Sequence, residues 1–102
     1  MVLELKANEV VVKASDSSLL ENDKKISGKL ILTNQRVYFK DEKKSEEPEA
    51  LEILPAEIRE LFYFNTFKIF PNGLHIIMKN GKEHKFKVTK RDSWGQAINA
   101  MY

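Results

Sequence analysis

The side chains that could do chemistry in this chain are few. Two histidines, His75 and His84, stand nine positions apart, and there is no cysteine. Without cysteine there is no disulfide, no thiolate zinc site and no thiol nucleophile. Two histidines alone cannot build a histidine-rich metal site. No nucleophile elbow, phosphate-binding glycine loop, dinucleotide fingerprint or HExxH pair occurs. The carboxylates are most crowded in 41–60, largely within a charged stretch unsuited to holding two of them at catalytic distance. Neither catalysis, a metal nor a cofactor is expected.

What remains is charge and aromaticity. Lys79, Lys82, Lys85, Lys87, Lys90 and Arg91 form a basic run, and Lys24, Lys25 and Lys29 form a second one. The net charge of +2 hides an uneven distribution. Residues 1–40 hold seven basic and five acidic side chains, 41–60 three and eight, and 61–102 seven and two. Near an anionic surface each lysine contributes about 1 kcal/mol. The lysines Lys24, Lys25, Lys29, Lys82, Lys85, Lys87 and Lys90 therefore make a candidate contact for anionic lipid. A block from Phe62 to Phe70 carries five aromatics, of which Tyr63, Phe67 and Phe70 are the candidates for a protein-docking patch. Nucleic-acid binding would need stacking rings interleaved with basic residues, and this block contains only Lys68.

The elements that must position these residues are mostly strands. Val10-Val11-Val12 marks a strand over Glu9–Ala14. The polar runs Ser15–Ser18 and Asn22–Lys25 read as turns. Gly28 to Lys40 reads as a hairpin around Asn34-Gln35, pairing Leu32 with Val37 and Leu30 with Phe39, with positive φ expected at Asn34. Residues 41–50 read as a charged loop, followed by a strand Leu51–Leu54 and one helical turn at Pro55. Another strand follows over Ile58–Phe64, with Phe62 and Phe64 inward and Tyr63 outward. Pro71-Asn72-Gly73 reads as a turn. The next hairpin has a three-residue loop, Lys79-Asn80-Gly81, because that register alone aligns Leu74 with Phe86 and Ile76 with His84. It puts His75 and His84 on opposite faces. At the end, Thr89–Asp92 has capping-box spacing, and Trp94, Ala97, Ile98 and Met101 mark one helix face.

About seven short antiparallel strands and one C-terminal helix predict a mainly β barrel with a helical cap, one domain over 1–102. The start of the chain lacks a secretory leader, and no apolar run reaches the ~20 residues a spanning helix needs. A cytoplasmic chain, peripheral at most to a membrane, is expected.

The segment Gly28-Lys-Leu-Ile-Leu-Thr-Asn-Gln-Arg-Val-Tyr-Phe39 resembles the glycine, apolar, Thr-Asn-x-Arg, apolar, x, Phe hairpin of the PH-like superfamily, in particular its GRAM and bacterial PH-like domains. Asn80-Gly81 followed by Phe86, the Leu51–Ile58 segment and Trp94 are similar to further features of that family. The resemblance covers roughly 9–101. It implies a non-enzymatic binding module that meets a protein partner or, weakly, anionic membrane lipid. In such lipid binders the loop after the first strand receives the headgroup; its counterpart here, Ala14–Ser27, has Lys24 and Lys25 but also Asp16, Glu21 and Asp23. The alternative reading is a homo-oligomerising protein that uses the aromatic patch or a barrel edge. Thr33 and Arg36, which carry the motif, are expected to serve local hydrogen bonds across the turn.

Overall fold

Alternating apolar residues and short turns produce seven strands followed by one helix in the computed structural model, which describes residues 4–21, 24–42, 50–66 and 69–102. The strands are β1 (Val11–Glu21), β2 (Lys24–Thr33), β3 (Val37–Asp41), β4 (Ala50–Ile53), β5 (Ile58–Thr66), β6 (Phe70–Met78) and β7 (Glu83–Lys87). A 3₁₀ turn, Pro55–Glu57, joins β4 to β5, and α1 spans Arg91–Asn99. All pairings are antiparallel, in the order β4-β3-β2-β1-β7-β6-β5. The sheet curls into a half-barrel with α1 as its cap.

The inner face carries the core. Leu30, Leu32, Val37, Phe39, Ile53, Leu74, Ile76, Phe86, Val88 and Ile98 are all at most 2% exposed. The Phe39 and Phe86 rings meet with centroids 5.7 Å apart. From α1, Trp94 and Ile98 enter this core, with Ala97 and Met101 packed against it, as the helical spacing requires.

Both expected hairpin registers form. Leu30 faces Phe39 and Leu32 faces Val37; Leu74 faces Phe86 and Ile76 faces His84. Met78 donates its N–H to Lys82 across the three-residue loop, where Gly81 takes φ +92°.

Five expectations are corrected. Ser15–Ser18 is not a turn but the middle of β1. The neighbouring strands accommodate it: Asp16 lies opposite Lys29 in the register, and the Ser17 hydroxyl donates to the Lys87 carbonyl at 2.9 Å. Pro71-Asn72-Gly73 lies inside β6, because Gly73 gives the Phe64 ring a place on the sheet. A Cβ there would come within 2.6 Å of that ring. The facing of β5 is reversed. One extra residue between Ile58 and Glu60 shifts the register, so Leu61 and Tyr63 share the inner side and Phe62 and Phe64 face outward. Thr89 does not cap α1; Lys90 occupies the cap position at φ 55°, with no side-chain cap bond. In the β2–β3 turn, neither Asn34 nor Gln35 has positive φ. The Thr33 hydroxyl there accepts the N–H groups of Gln35 (3.1 Å) and Arg36 (3.0 Å), an arrangement that needs no left-handed residue.

Candidate functional site: the outer sheet face and its two ends

Because side chains alternate, the register decides which lysines share a surface. On the outer face, Lys25 (β2), Leu20 (β1), Lys85 (β7), His75 (β6) and Phe62 (β5) form one row across five strands. The next row holds Ser27, Ser18, Lys87, Gly73 and Phe64. A third brings Lys40, Lys29 and Asp16 together. Lys25 and Lys85 are separated by two strand spacings, about 10 Å. The two basic runs thus meet on one face, with Lys40 added to them.

Aromatic rings flank this surface toward β5. The Lys85 ammonium lies 5.9 Å from the centre of the Phe64 ring. His75 packs edge-on to Phe64 and tilted against Phe62, and its Nε2 is 2.9 Å from Glu83 Oε1.

The other candidate residues go elsewhere. Lys24 pairs with Glu21 at the end of the β1–β2 hairpin. Lys82 lies in the β6–β7 turn, where it lines an open cleft of about 530 Å³ together with Leu19, Glu21, Phe39, Leu51, Glu83 and His84. Two carboxylates against one ammonium make the described part of that cleft a poor cradle for a phosphorylated headgroup. The expected headgroup loop, Ala14–Ser27, is paired strand for most of its length. Burial holds the His84 imidazole below its ordinary pKa, the neighbouring Lys82 acts in the same direction, and Glu21 partly opposes both.

Of the aromatic candidates, Tyr63 lies against α1. Arg91 stacks over its ring at 5.0 Å, and its hydroxyl occupies the space a Cβ on Gly95 would need. Phe70 is 50% exposed near the β5–β6 tip. Phe67 lies outside the described residues. Phe62, 47% exposed, was concealed by the β5 bulge. Leu61, Tyr63, Gly95, Gln96 and Asn99 line a shallow groove of about 230 Å³ between the edge strand β5 and α1.

Thr33 and Arg36 do serve the turn, but they also fasten the N-terminal segment. Arg36 grips the buried Glu9 carboxylate through Nε (2.9 Å) and Nη2 (3.1 Å), and donates to Glu52 on β4 and to the Glu4 carbonyl. The Thr33 hydroxyl donates to Glu9 as well. Asn34 accepts the Val10 N–H and donates to the Asn8 carbonyl, while Gln35 donates to the Ala7 carbonyl. These bonds draw the Glu9 carboxyl down to a pKa of about 2, with the Arg36 hydrogen bond the largest cause. The only hint of this in the sequence was a carboxylate beside three valines.

Among the described residues, no group of three His, Asp or Glu side chains is placed to hold a metal ion, and no helix is long and apolar enough to cross a membrane.

No family model matches the chain, and no curated protein matches it in sequence. Solved structures do match its fold. The C-terminal domain of an unknown protein from Leishmania infantum is similar over 93% of this chain and 85% of its own, at 17% identity and a TM-score of 0.78. The Vps36 N-terminal PH domain is similar over 93% of this chain and 80% of its own, at 19% identity and a TM-score of 0.73. The half-barrel with its helical cap is therefore a PH-like fold; no match singles out the GRAM family.

Proposed function

We propose that this chain is a non-catalytic docking module that meets an anionic membrane surface through the outer face of its sheet. One observation carries the reading: the strand register sets Lys25, Lys29, Lys85 and Lys87 on that face, with Lys40 beside them. About 1 kcal/mol per lysine near anionic lipid gives weak, reversible and salt-sensitive association. The likeness to PH-like structures, a Vps36 PH domain among them, agrees with a binding role.

The test is co-sedimentation with phosphatidylcholine vesicles, with and without phosphatidylserine. Binding is expected only to the anionic vesicles, weakening as salt shortens the Debye length from about 10 Å toward 3 Å. The double variant Lys85→Glu/Lys87→Glu is expected to abolish it, whereas Lys24→Glu alone, at the hairpin end, is expected to leave most of it. Absence of binding at low salt refutes the reading.

A second reading is favoured by a separate observation. β5 is an edge strand of nine residues, with Phe62 and Tyr63 each nearly half exposed on its two sides. An unpaired strand edge beside exposed rings suits a protein partner or a second copy of the chain. Light scattering over a concentration series separates the two cases: a mass that grows with concentration supports self-association, and a constant monomer mass removes it.

A further inference from the structure

Two asparagines in this chain are followed by glycine, in Asn72-Gly73 and Asn80-Gly81. In such a pair the glycine nitrogen lies close to the asparagine side-chain amide, and the absent Cβ leaves its approach open. The fold treats the two pairs in opposite ways. Gly73 is buried in β6, paired with Phe64 on one side and Lys87 on the other. Asn72 Oδ1 accepts the Thr66 hydroxyl, and the Asn72 carbonyl accepts the Val88 N–H at 2.8 Å. To react, this pair would first have to leave the sheet.

Asn80-Gly81 stands at the β6–β7 turn, where every residue from Lys79 to Lys82 is exposed. A Cβ on Gly81 would meet nothing within 4 Å, so the space beside this peptide is open to water. Asn80 Oδ1 accepts the Lys82 N–H at 2.9 Å. That bond directs the amide forward along the turn and sets a donor on the oxygen that gains charge when Cγ is attacked. The Gly81 N–H donates to the Met78 carbonyl at 3.0 Å, an exposed turn bond of the kind that opens most readily. Lys79 and Lys82 flank the pair and favour an anionic nitrogen between them. The carboxylate that follows, Glu83, is drawn to His75 Nε2 at 2.9 Å.

We infer that Asn80 is a site of spontaneous deamidation through a succinimide formed with Gly81, and that the sheet withholds Asn72 from the same reaction. Hydroxide takes the Gly81 amide proton, and the nitrogen attacks Asn80 Cγ. The N–Cγ bond forms, the Cγ–Nδ2 bond breaks, and the side-chain nitrogen leaves as ammonia. Water then opens the ring. Addition at Cγ gives aspartate; addition at the main-chain carbonyl carbon gives isoaspartate, whose backbone runs through Cβ and Cγ. Either product replaces a neutral amide by a carboxylate, one unit below the net charge of +2. Isoaspartate also lengthens the turn by one backbone atom, which loosens the bond from the Met78 N–H to the Lys82 carbonyl. None of this depends on what the outer face binds.

The test is to incubate the whole chain in neutral buffer at body temperature, folded and, in parallel, unfolded in urea. Peptide mapping by mass spectrometry follows the amide-to-acid mass change at each asparagine, and electron-transfer fragmentation separates isoaspartate from aspartate. In the folded chain Asn80 is expected to convert about tenfold or more faster than Asn72, the factor being set by the cost of opening the sheet. In urea the two sites are expected to convert at similar rates. Asn80→Gln, whose longer side chain does not close this ring, is expected to remove the acidic species seen by ion exchange and to keep the melting temperature. Equal rates at the two sites in the folded chain overturn the inference. So does an Asn80 that stays intact when folded yet converts in urea, since the Gly81–Met78 bond would then protect the turn.

Discussion

Arg36 and Glu9, 27 positions apart in sequence, form a two-point ion pair at 2.9 and 3.1 Å, and both side chains are nearly closed to solvent. This pair makes the segment before β1 part of the fold. A planar guanidinium fits a carboxylate at two points, which a lysine ammonium does not. Arg36→Lys is therefore expected to lower the melting temperature although the charge is kept, and to speed proteolysis within residues 4–10. Limited proteolysis followed by mass spectrometry reads both.

The same pair sets an acid limit. Glu9 titrates near 2 in the folded protein against an ordinary 4.5, so the folded state favours its ionised form. The stabilisation is fully present above about 4.5 and is lost as pH falls toward 2. Denaturant unfolding between pH 5 and 2 is expected to show wild-type stability falling more steeply than that of Glu9→Gln. Parallel slopes would show that the pair contributes nothing to the acid limb.

His84 acts in a higher window. Its folded pKa lies below the ordinary 6.5, so the unfolded chain binds the proton more readily. Stability is expected to decline as pH drops below 6.5, and His84→Gln should flatten that part of the curve. NMR titration of the His84 ring, with its midpoint below 6.5, is the direct check; a midpoint above 6.5 contradicts the assignment.

Phe86 lies at the centre of the core, fully buried against Phe39. Phe86→Ala is expected to cost about 3–5 kcal/mol in denaturant unfolding, from lost transfer energy plus an unfilled cavity. A loss below about 1 kcal/mol would mean that the two sides of the half-barrel do not pack here as described.

Two glycines should respond differently to alanine. At Gly73 a Cβ would meet the Phe64 carbonyl oxygen at 2.5 Å, and backbone cannot move aside cheaply. Gly73→Ala is expected to destabilise by about 1–3 kcal/mol. At Gly95 the nearest atom is the Tyr63 hydroxyl at 2.0 Å, the far end of a side chain that can rotate away. Alanine there gains about 1 kcal/mol of helix propensity, offsetting the displaced ring. Gly95→Ala is expected to leave stability nearly unchanged while shifting the Tyr63 ring resonances, which distinguishes it from Gly73→Ala.

The parts of the fold legible in the sequence were those where one short stretch contains its own partner. The β2–β3 and β6–β7 registers followed from matching apolar positions across a turn, and the face of α1 from helical spacing. β5 failed because a single extra residue between Ile58 and Glu60 reverses the side chains from Leu61 to Phe64, and no local signal marks the insertion. Ser15–Ser18 failed because polar residues read as a turn until a neighbouring strand supplies Lys29 and the Lys87 carbonyl as partners.

The sequence by itself determined that this is a cysteine-free, strand-rich chain with a helical end, lysines in two runs and an aromatic block, and without a recognisable catalytic motif. Only the tertiary structure decided that Lys25 and Lys85 share a row, that Phe62 and Phe64 face outward beside them, and that Glu9 reaches Arg36. Charge and hydrophobicity belong to each residue and can be read singly. Their proximity depends on strand order, bulges and pairing register, which are fixed by contacts between residues distant in the chain.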